Sequence, residues 1–259
     1  MTPLHFSVLK EMRRSPAHAK FRLDNPEGDA TPSLLVGSAA HTLALGKGKR
    51  VVVCEMRRDK RVEAYRAFLA DNQDAIILSP AEHAKATGIA KALKQSDQAL
   101  YYLDGHREVP HEWTWMGRKC RTRGIDVIDS ASSIGGTRFI TELKSTKFAK
   151  PEWFQTDVLR RGYHTQLVFY EQALGIDIPE LVIVAVESTP PHPVVVYRLS
   201  DRMREQAQKQ LHLWMELFLS CEKSNQWPGY AQSVIELDIA NDAELDFSGV
   251  EDADDAVGF

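Results

Sequence analysis

Cysteine is scarce in this chain. Only Cys54, Cys120 and Cys221 occur, far apart and without any C-x-x-C spacing. An odd, scattered set argues against a disulfide framework and against a zinc or iron–sulfur site, so the three are expected to be reduced structural residues. Long apolar runs are missing as well. The longest unbroken aliphatic stretch, Leu181–Val186, falls far short of the about 20 residues that a bilayer-spanning helix needs. The opening residues, MTPLHFSVLK, lack the charged-then-apolar layout of a secretory signal, so a cytoplasmic protein with no membrane association is expected. The chain also has no internal repeat and no glycine-rich loop of the kind that cradles phosphate.

Charge is unevenly placed. The formal net charge is −4, but residues 238–259 carry eight acids and no Lys or Arg, which leaves 28 acids against 32 bases in residues 1–237. A mildly basic body is compatible with nucleic acid without demanding it. The acidic stretch has a composition that predicts disorder. One folded domain over residues 1–237 followed by an acidic tail, 238–259, is the expected organisation. The tail ends in EDADDAVGF, which would suit docking on a basic partner pocket, self-occupation of a nucleic-acid channel, or simple solubilisation.

One stretch organises the rest: Arg121–Thr146, RTRGIDVIDSASSIGGTRFITELKST. Two apolar runs with charges set into them flank a Gly-containing break at 130–136, the pattern of a β-hairpin. Strand alternation puts Glu142 and Lys144 on one face and Leu143 on the other. The midpoint between Asp126 and Glu142 is Ile134, inside the predicted turn, so folding there sets the two carboxylates opposite one another. Two carboxylates at close range on a half-buried sheet repel and cost desolvation unless a positive group lies between them. A divalent cation with oxygen ligands would serve, Mg²⁺ above all where phosphate is also bound. With Lys144 beside it, the set sketches a metal-dependent phosphodiesterase. Spacing alone, however, favours an ordinary surface hairpin, because short motifs match by chance.

Elsewhere, residues 3–23 are predicted helical in two pieces, the second starting at Ser15-Pro16. Thr31-Pro32 opens a helix through Leu45, closed by Gly46; being apolar on nearly every side, it is expected to be buried. His41 lies on it, and a lone His in such a helix is by default a core residue. Short strands are expected at Arg50–Glu55 and Ala75–Leu78, and helices at Val62–Asn72 and from Pro80 through Leu93; Leu100–Tyr102 is ambiguous. Glu108–Met116 and Lys119–Ile128 read as paired strands. Their basic rim, Arg118, Lys119, Arg121 and Arg123, fits a solvated edge strand as well as a phosphate contact. A Lys-, Arg- and aromatic-rich segment and short helix follow, then a helix from Tyr163 to Leu174 with Tyr163, Gln166 and Tyr170 on one face. Two buried strands, 181–187 and 194–199, precede a long amphipathic helix capped by Ser200.

Four motifs in this order resemble the PD-(D/E)XK nuclease superfamily, in its RecB-type branch, and phage or prophage exonucleases of the exonuclease VIII type in particular. Gly37-Ser-Ala-Ala-His41 matches the helical GxxxH motif. Gly124-Ile-Asp126 matches the first acidic position, with Gly-Ile where the family name has Pro. Glu142-Leu-Lys144 matches (D/E)XK, and Gln166-Leu-Val-Phe-Tyr170 matches QxxxY. The SPAHAK, AVESTPP and WPGY segments extend the likeness over roughly residues 4–232. The resemblance implies an α/β (α+β) fold of restriction-endonuclease type, a mixed central sheet flanked by helices. It implies Mg²⁺, or Mn²⁺, held by His41, Asp126, Glu142 and the Leu143 carbonyl, with Glu108 as a further acidic ligand. Lys144 would orient or deprotonate the attacking water or stabilise developing charge, and Gln166 and Tyr170 would position the scissile strand. Lys147, Lys150, Arg160 and Arg161 are the expected backbone contacts.

The function so implied is a metal-dependent exodeoxyribonuclease that degrades one strand of linear double-stranded DNA from its 5′ ends, within phage-type recombination. A ring-shaped homo-oligomer and a single-strand annealing protein as partner come with the same resemblance. The alternatives are a structure-directed endonuclease on the same fold and a non-catalytic DNA-binding recombination module.

Overall fold

Five of the described helices begin at a Ser or Thr whose hydroxyl caps them. The computed structural model describes residues 2–26, 31–129, 138–176, 178–231 and 233–236. A short helix α1 (Phe6–Leu9) and a 3-10 turn (Lys10–Arg13) lead to α2 (Pro16–Asp24), where the Ser15 hydroxyl accepts from the His18 N–H. Thr31 caps α3 (Pro32–Leu45) in the same way, and Gly46, with φ of 68°, closes it in the left-handed region that glycine adopts without strain. Strands β1 (Val51–Val53) and β2 (Ile76–Leu78) flank α4 (Glu63–Asp71) and pair in parallel as a separate two-stranded sheet. Ser79 and Glu82 form a capping box at the start of α5 (Pro80–Lys94), and α6 (Asp97–Tyr102) follows.

The five-stranded sheet comes next. It runs in the order β3 (His106–Trp115), β4 (Arg118–Ile128), β5 (Phe139–Thr146), β6 (Glu180–Glu187) and β7 (Val194–Arg198). All neighbours are antiparallel except β5 and β6, which run parallel. A parallel pair needs a crossover, and α7 (Pro151–Arg161) and α8 (Tyr163–Leu174) provide it. The last helix is α9 (Asp201–Ser224), capped by Ser200.

Alternation along the strands sorts side chains into two cores. Leu181, Ile183 and Ala185 on β6, with Ile140 on β5, pack towards α8 and α9 among Phe154, Phe169 and Phe218. Val182, Val184 and Val186, with Phe139 and Leu143, pack towards α3 and α5. The mixed sheet between helical layers is the architecture expected from the sequence.

Several expectations need correction. Helix α3 is not buried all round: Val36, Ala39, Ala40 and Leu45 are buried while Leu34 is 39% exposed. It packs on α5, β2 and β5 and leaves the rest of its surface open, and apolar composition cannot by itself supply a further partner. Strand β7 is half-buried, because it is an edge. The basic rim lies on the part of β4 that β5 does not pair among the described residues, where a bridge from Leu4 to Cys120 borders the strand instead. Arg118 turns inward, where its guanidinium donates to Glu222 and to the Thr2 carbonyl; Lys119, Arg121 and Arg123 point out. The ambiguous Leu100–Tyr102 is the end of α6. The hairpin apex expected at 130–136 and the tail 238–259 lie outside the described residues.

Candidate active site

Three acids stand side by side on three neighbouring strands. The β3–β4 register pairs Arg107 with Val127 and Val109 with Ile125, which places Glu108 opposite Asp126. The β4–β5 register pairs Val127 with Thr141, which places Asp126 opposite Glu142. Adjacent strands lie about 4.8 Å apart, so the three carboxylates form a row across the sheet.

The site opens where β4 and β5 stop pairing. Among the described residues their ladder covers only Val127–Thr141 and Ile128–Ile140. Beyond it the Leu143 N–H would lack a partner on β4, and the Asp126 carboxylate takes the role, accepting at Oδ2 over 2.7 Å. Leu143 thus enters the site through its N–H, while its side chain packs in the α3–α5 core.

His41 arrives from α3. Its Nδ1 lies 3.0 Å from Glu108 Oε1 and its Nε2 3.0 Å from Asp126 Oδ2. Close approach of this helix depends on Gly37, where a Cβ would come within 3.0 Å of the Ser145 hydroxyl on β5. Burial opposes protonation of His41, but Asp126 and Glu108 outweigh it and push its pKa up to about 10.

Glu142 and Lys144 share a face as strand alternation predicts, and Lys144 Nζ donates to Glu142 Oε1 at 2.5 Å. From α8, Gln166 Nε2 donates to the same Oε1 at 2.8 Å and lies 2.6 Å from the Tyr170 hydroxyl. The other oxygen, Oε2, is buried without a hydrogen-bond partner among the described residues. Burial and the neighbouring Asp126 charge raise the Glu142 pKa to about 7, against the opposing pull of Lys144 and His41. Lys144 is itself pushed up: burial lowers it, and Glu142 more than compensates. Its ammonium also sits 4.7 Å from the centre of the Tyr163 ring. Burial, then the Glu142 and Asp126 charges, drive the Tyr170 pKa well above that of free tyrosine.

His41, Glu108, Asp126, Glu142, Leu143, Lys144, Gln166 and Tyr170 are therefore brought together. Lys147, Lys150, Arg160 and Arg161 are not part of this cluster; they sit exposed on the β5–α7 loop and on α7, with Lys150 near Glu152 and both arginines paired to Asp157. Sequence reasoning left three neighbours unassigned. Tyr163 had only its shared helix face as a signal. Gly124 is required because a Cβ there would come within 3.2 Å of the Glu108 Cα. Lys10, on the 3-10 turn, has its pKa lowered by burial and by Arg13, Lys144 and Arg22, although Glu11 pulls the other way. Nothing in its local pattern announced that neighbourhood.

The donor set suits a hard divalent cation. Ligand atoms of His41, Glu108 and Asp126 all lie within 4.8 Å of one another, and the orphaned Glu142 Oε2 is a further anionic oxygen beside them. Carboxylate-rich sites of this kind favour Mg²⁺ or Mn²⁺, and one imidazole shifts preference towards the transition metal.

A family profile described as a PDDEXK-like domain of unknown function (DUF3799) matches residues 5–237. No curated protein gives a significant match. Among solved structures, a Eubacterium rectale protein described as a candidate exonuclease aligns with a TM-score of 0.62 at 14% identity, over 99% of this chain and 94% of that one. At that identity the likeness establishes the fold. No helix among the described residues is long and apolar enough to cross a membrane.

Proposed function

The chain belongs to the DUF3799 family of PDDEXK-like domains, and from that premise we propose that it is a metal-dependent deoxyribonuclease, an exonuclease acting on the ends of linear double-stranded DNA. The observation that carries this reading is the row Glu108–Asp126–Glu142, bracketed by His41 and by a lysine that donates to the last of them. The description of the Eubacterium rectale structure favours the exonuclease over the endonuclease form. The 5′ to 3′ direction, a ring-shaped oligomer and an annealing partner rest solely on the motif resemblance to exonuclease VIII-type enzymes.

His41, Glu108, Asp126, Glu142 and the Leu143 carbonyl would hold Mg²⁺ or Mn²⁺, which when bound supplies positive charge for the phosphate and acidifies water. The chain's own groups do the rest. Gln166 and Lys144 both hold Glu142 Oε1, so the plane of that carboxylate is set before any ligand arrives. Lys144 keeps donors beyond the one given to Glu142, and these can stabilise charge developing on a phosphate. The protein's own groups push its pKa up, so a proton-accepting role would need the lowering that a nearby cation provides. Tyr170 accepts from Gln166 and steadies it.

An end-labelled linear duplex tests this, digested with Mg²⁺, with EDTA, and by Lys144→Ala. Label loss that EDTA and the substitution both abolish is expected, with circular duplex left intact. Cleavage of the circle would move the assignment to an endonuclease. Folded protein that digests neither substrate with Mg²⁺ or Mn²⁺ would overturn the nuclease reading.

A further inference from the structure

We propose that Phe148 and Trp153, on the β5–α7 loop and the first turn of α7, form a stacking platform for unpaired bases of a DNA strand. This rests on the nuclease reading above and adds where the strand lies. Trp153 is 58% exposed and Phe148 39% exposed, a costly placement for two large rings unless something covers them. They face one another, with centroids 4.8 Å apart and planes at 56°.

The segment that carries them is held rigidly. The Ala149 N–H donates to Glu187 at 2.7 Å, and the Ala149 carbonyl accepts from the Tyr197 hydroxyl. Thr146 Oγ1 donates to the Phe148 carbonyl at 3.2 Å, and the Ser188 N–H to the Thr146 carbonyl at 2.8 Å. Phe154, next to Trp153, is buried and stacks on Tyr197 at 4.9 Å. Backbone pinning of this kind spares binding the cost of ordering the loop that carries the rings.

Charge and position identify the occupant. Residues 147–161 carry Lys147, Lys150, Arg160 and Arg161 against Glu152 and Asp157, an excess of positive charge. The Lys147 ammonium lies 5.2 Å from the centre of the Phe148 ring. Exposed aromatics among cations are the composition of a single-strand groove, where bases stack and the backbone is neutralised. Phe148 is four positions on from Lys144, at most about 14 Å of chain, the length of a few stacked nucleotides. A strand leaving the candidate active site along this loop would therefore meet the two rings at once.

The test titrates wild type, Trp153→Ala, Trp153→Phe and Phe148→Ala into a fluorescein-labelled oligothymidylate and into a blunt duplex. Ca²⁺ replaces Mg²⁺, and a gel confirms uncut DNA. Trp153→Ala should weaken oligothymidylate binding by about ten-fold, leaving the salt dependence of affinity unchanged because no charge is lost. Trp153→Phe should keep most of the affinity, and duplex binding should move less. Circular dichroism checks the fold, which an exposed side chain should not govern. Equal oligothymidylate affinity for wild type and Trp153→Ala, with cleavage by wild type intact, would overturn the platform and spare the nuclease. A wild-type dimer that Trp153→Ala splits in sedimentation would overturn it too, by giving the patch to a second copy. A folded wild type that binds neither DNA and cuts neither would sink both proposals.

Discussion

Adding Mn²⁺ to protein stripped with EDTA should expel protons, and the number expelled reports which side chains become ligands. A ligand must be deprotonated, so cation and proton compete. His41 has its pKa raised to about 10 by Asp126 and Glu108 in spite of burial, and is fully charged at pH 7.5. Binding through it releases close to one proton. Glu142, raised to about 7 by burial and by Asp126, is about one-quarter protonated at that pH and adds about 0.2. The expected release is about 1.2 protons per site, so affinity should rise about 1.2 log units per pH unit near 7.5. Both groups act with the same sign: raising the pH strengthens binding. Calorimetric titration in buffers of different ionisation enthalpy measures the number directly. His41→Ala should reduce it by about one, leaving only the Glu142 fraction. A wild-type release of about 0.2, unchanged by His41→Ala, would remove His41 from the ligand set and refute the reasoning.

Three further outcomes follow from packing and pairing. Gly37→Ala should clash with the Ser145 hydroxyl, 3.0 Å from the new Cβ, and Ser145→Ala should relieve it, releasing the helix preference of alanine; thermal melts of the four variants should show coupling of about 1 kcal/mol, and simple additivity would refute the contact. Gly124→Ala puts a Cβ 3.2 Å from the Glu108 Cα and should cost about 1–3 kcal/mol in denaturant unfolding; a cost near zero would mean that β3 yields easily. Arg118→Met leaves Glu222 without its partner at a pair whose side chains are 5% and 20% exposed, and should destabilise by about 3 kcal/mol. Arg118→Met/Glu222→Leu should recover most of that loss in the same unfolding assay.

Much of the site was legible because it depends on local periodicity. Alternation placed Glu142 and Lys144 together, the midpoint at Ile134 set Asp126 opposite Glu142, and helical spacing aligned Tyr163, Gln166 and Tyr170. Each follows from the geometry of a single strand, hairpin or helix. Glu108 was harder. It stands in the left-handed region at φ of 50°, next to a register shift between Val109 and His111. No strand pattern announces such a residue, and its neighbour Asp126 is set by pairing across the sheet. His41 was recognised by motif, whereas its two carboxylate partners needed the tertiary packing of α3 on β5. The partial exposure of α3, the separate β1–β2 sheet and the inward turn of Arg118 also depend on which element covers which, and local composition does not encode that.

The contact between the Leu143 N–H and the Asp126 carboxylate makes one backbone amide a resident sensor. A main-chain proton that donates to a charged carboxylate resonates far downfield, and its exchange with solvent slows while the acceptor holds it. When a cation draws charge from Asp126, that single resonance should move upfield and exchange faster, while the amides of the β5–β6 ladder keep their positions. Occupancy at the three carboxylates could then be read from one peak in an amide spectrum, without DNA and without turnover.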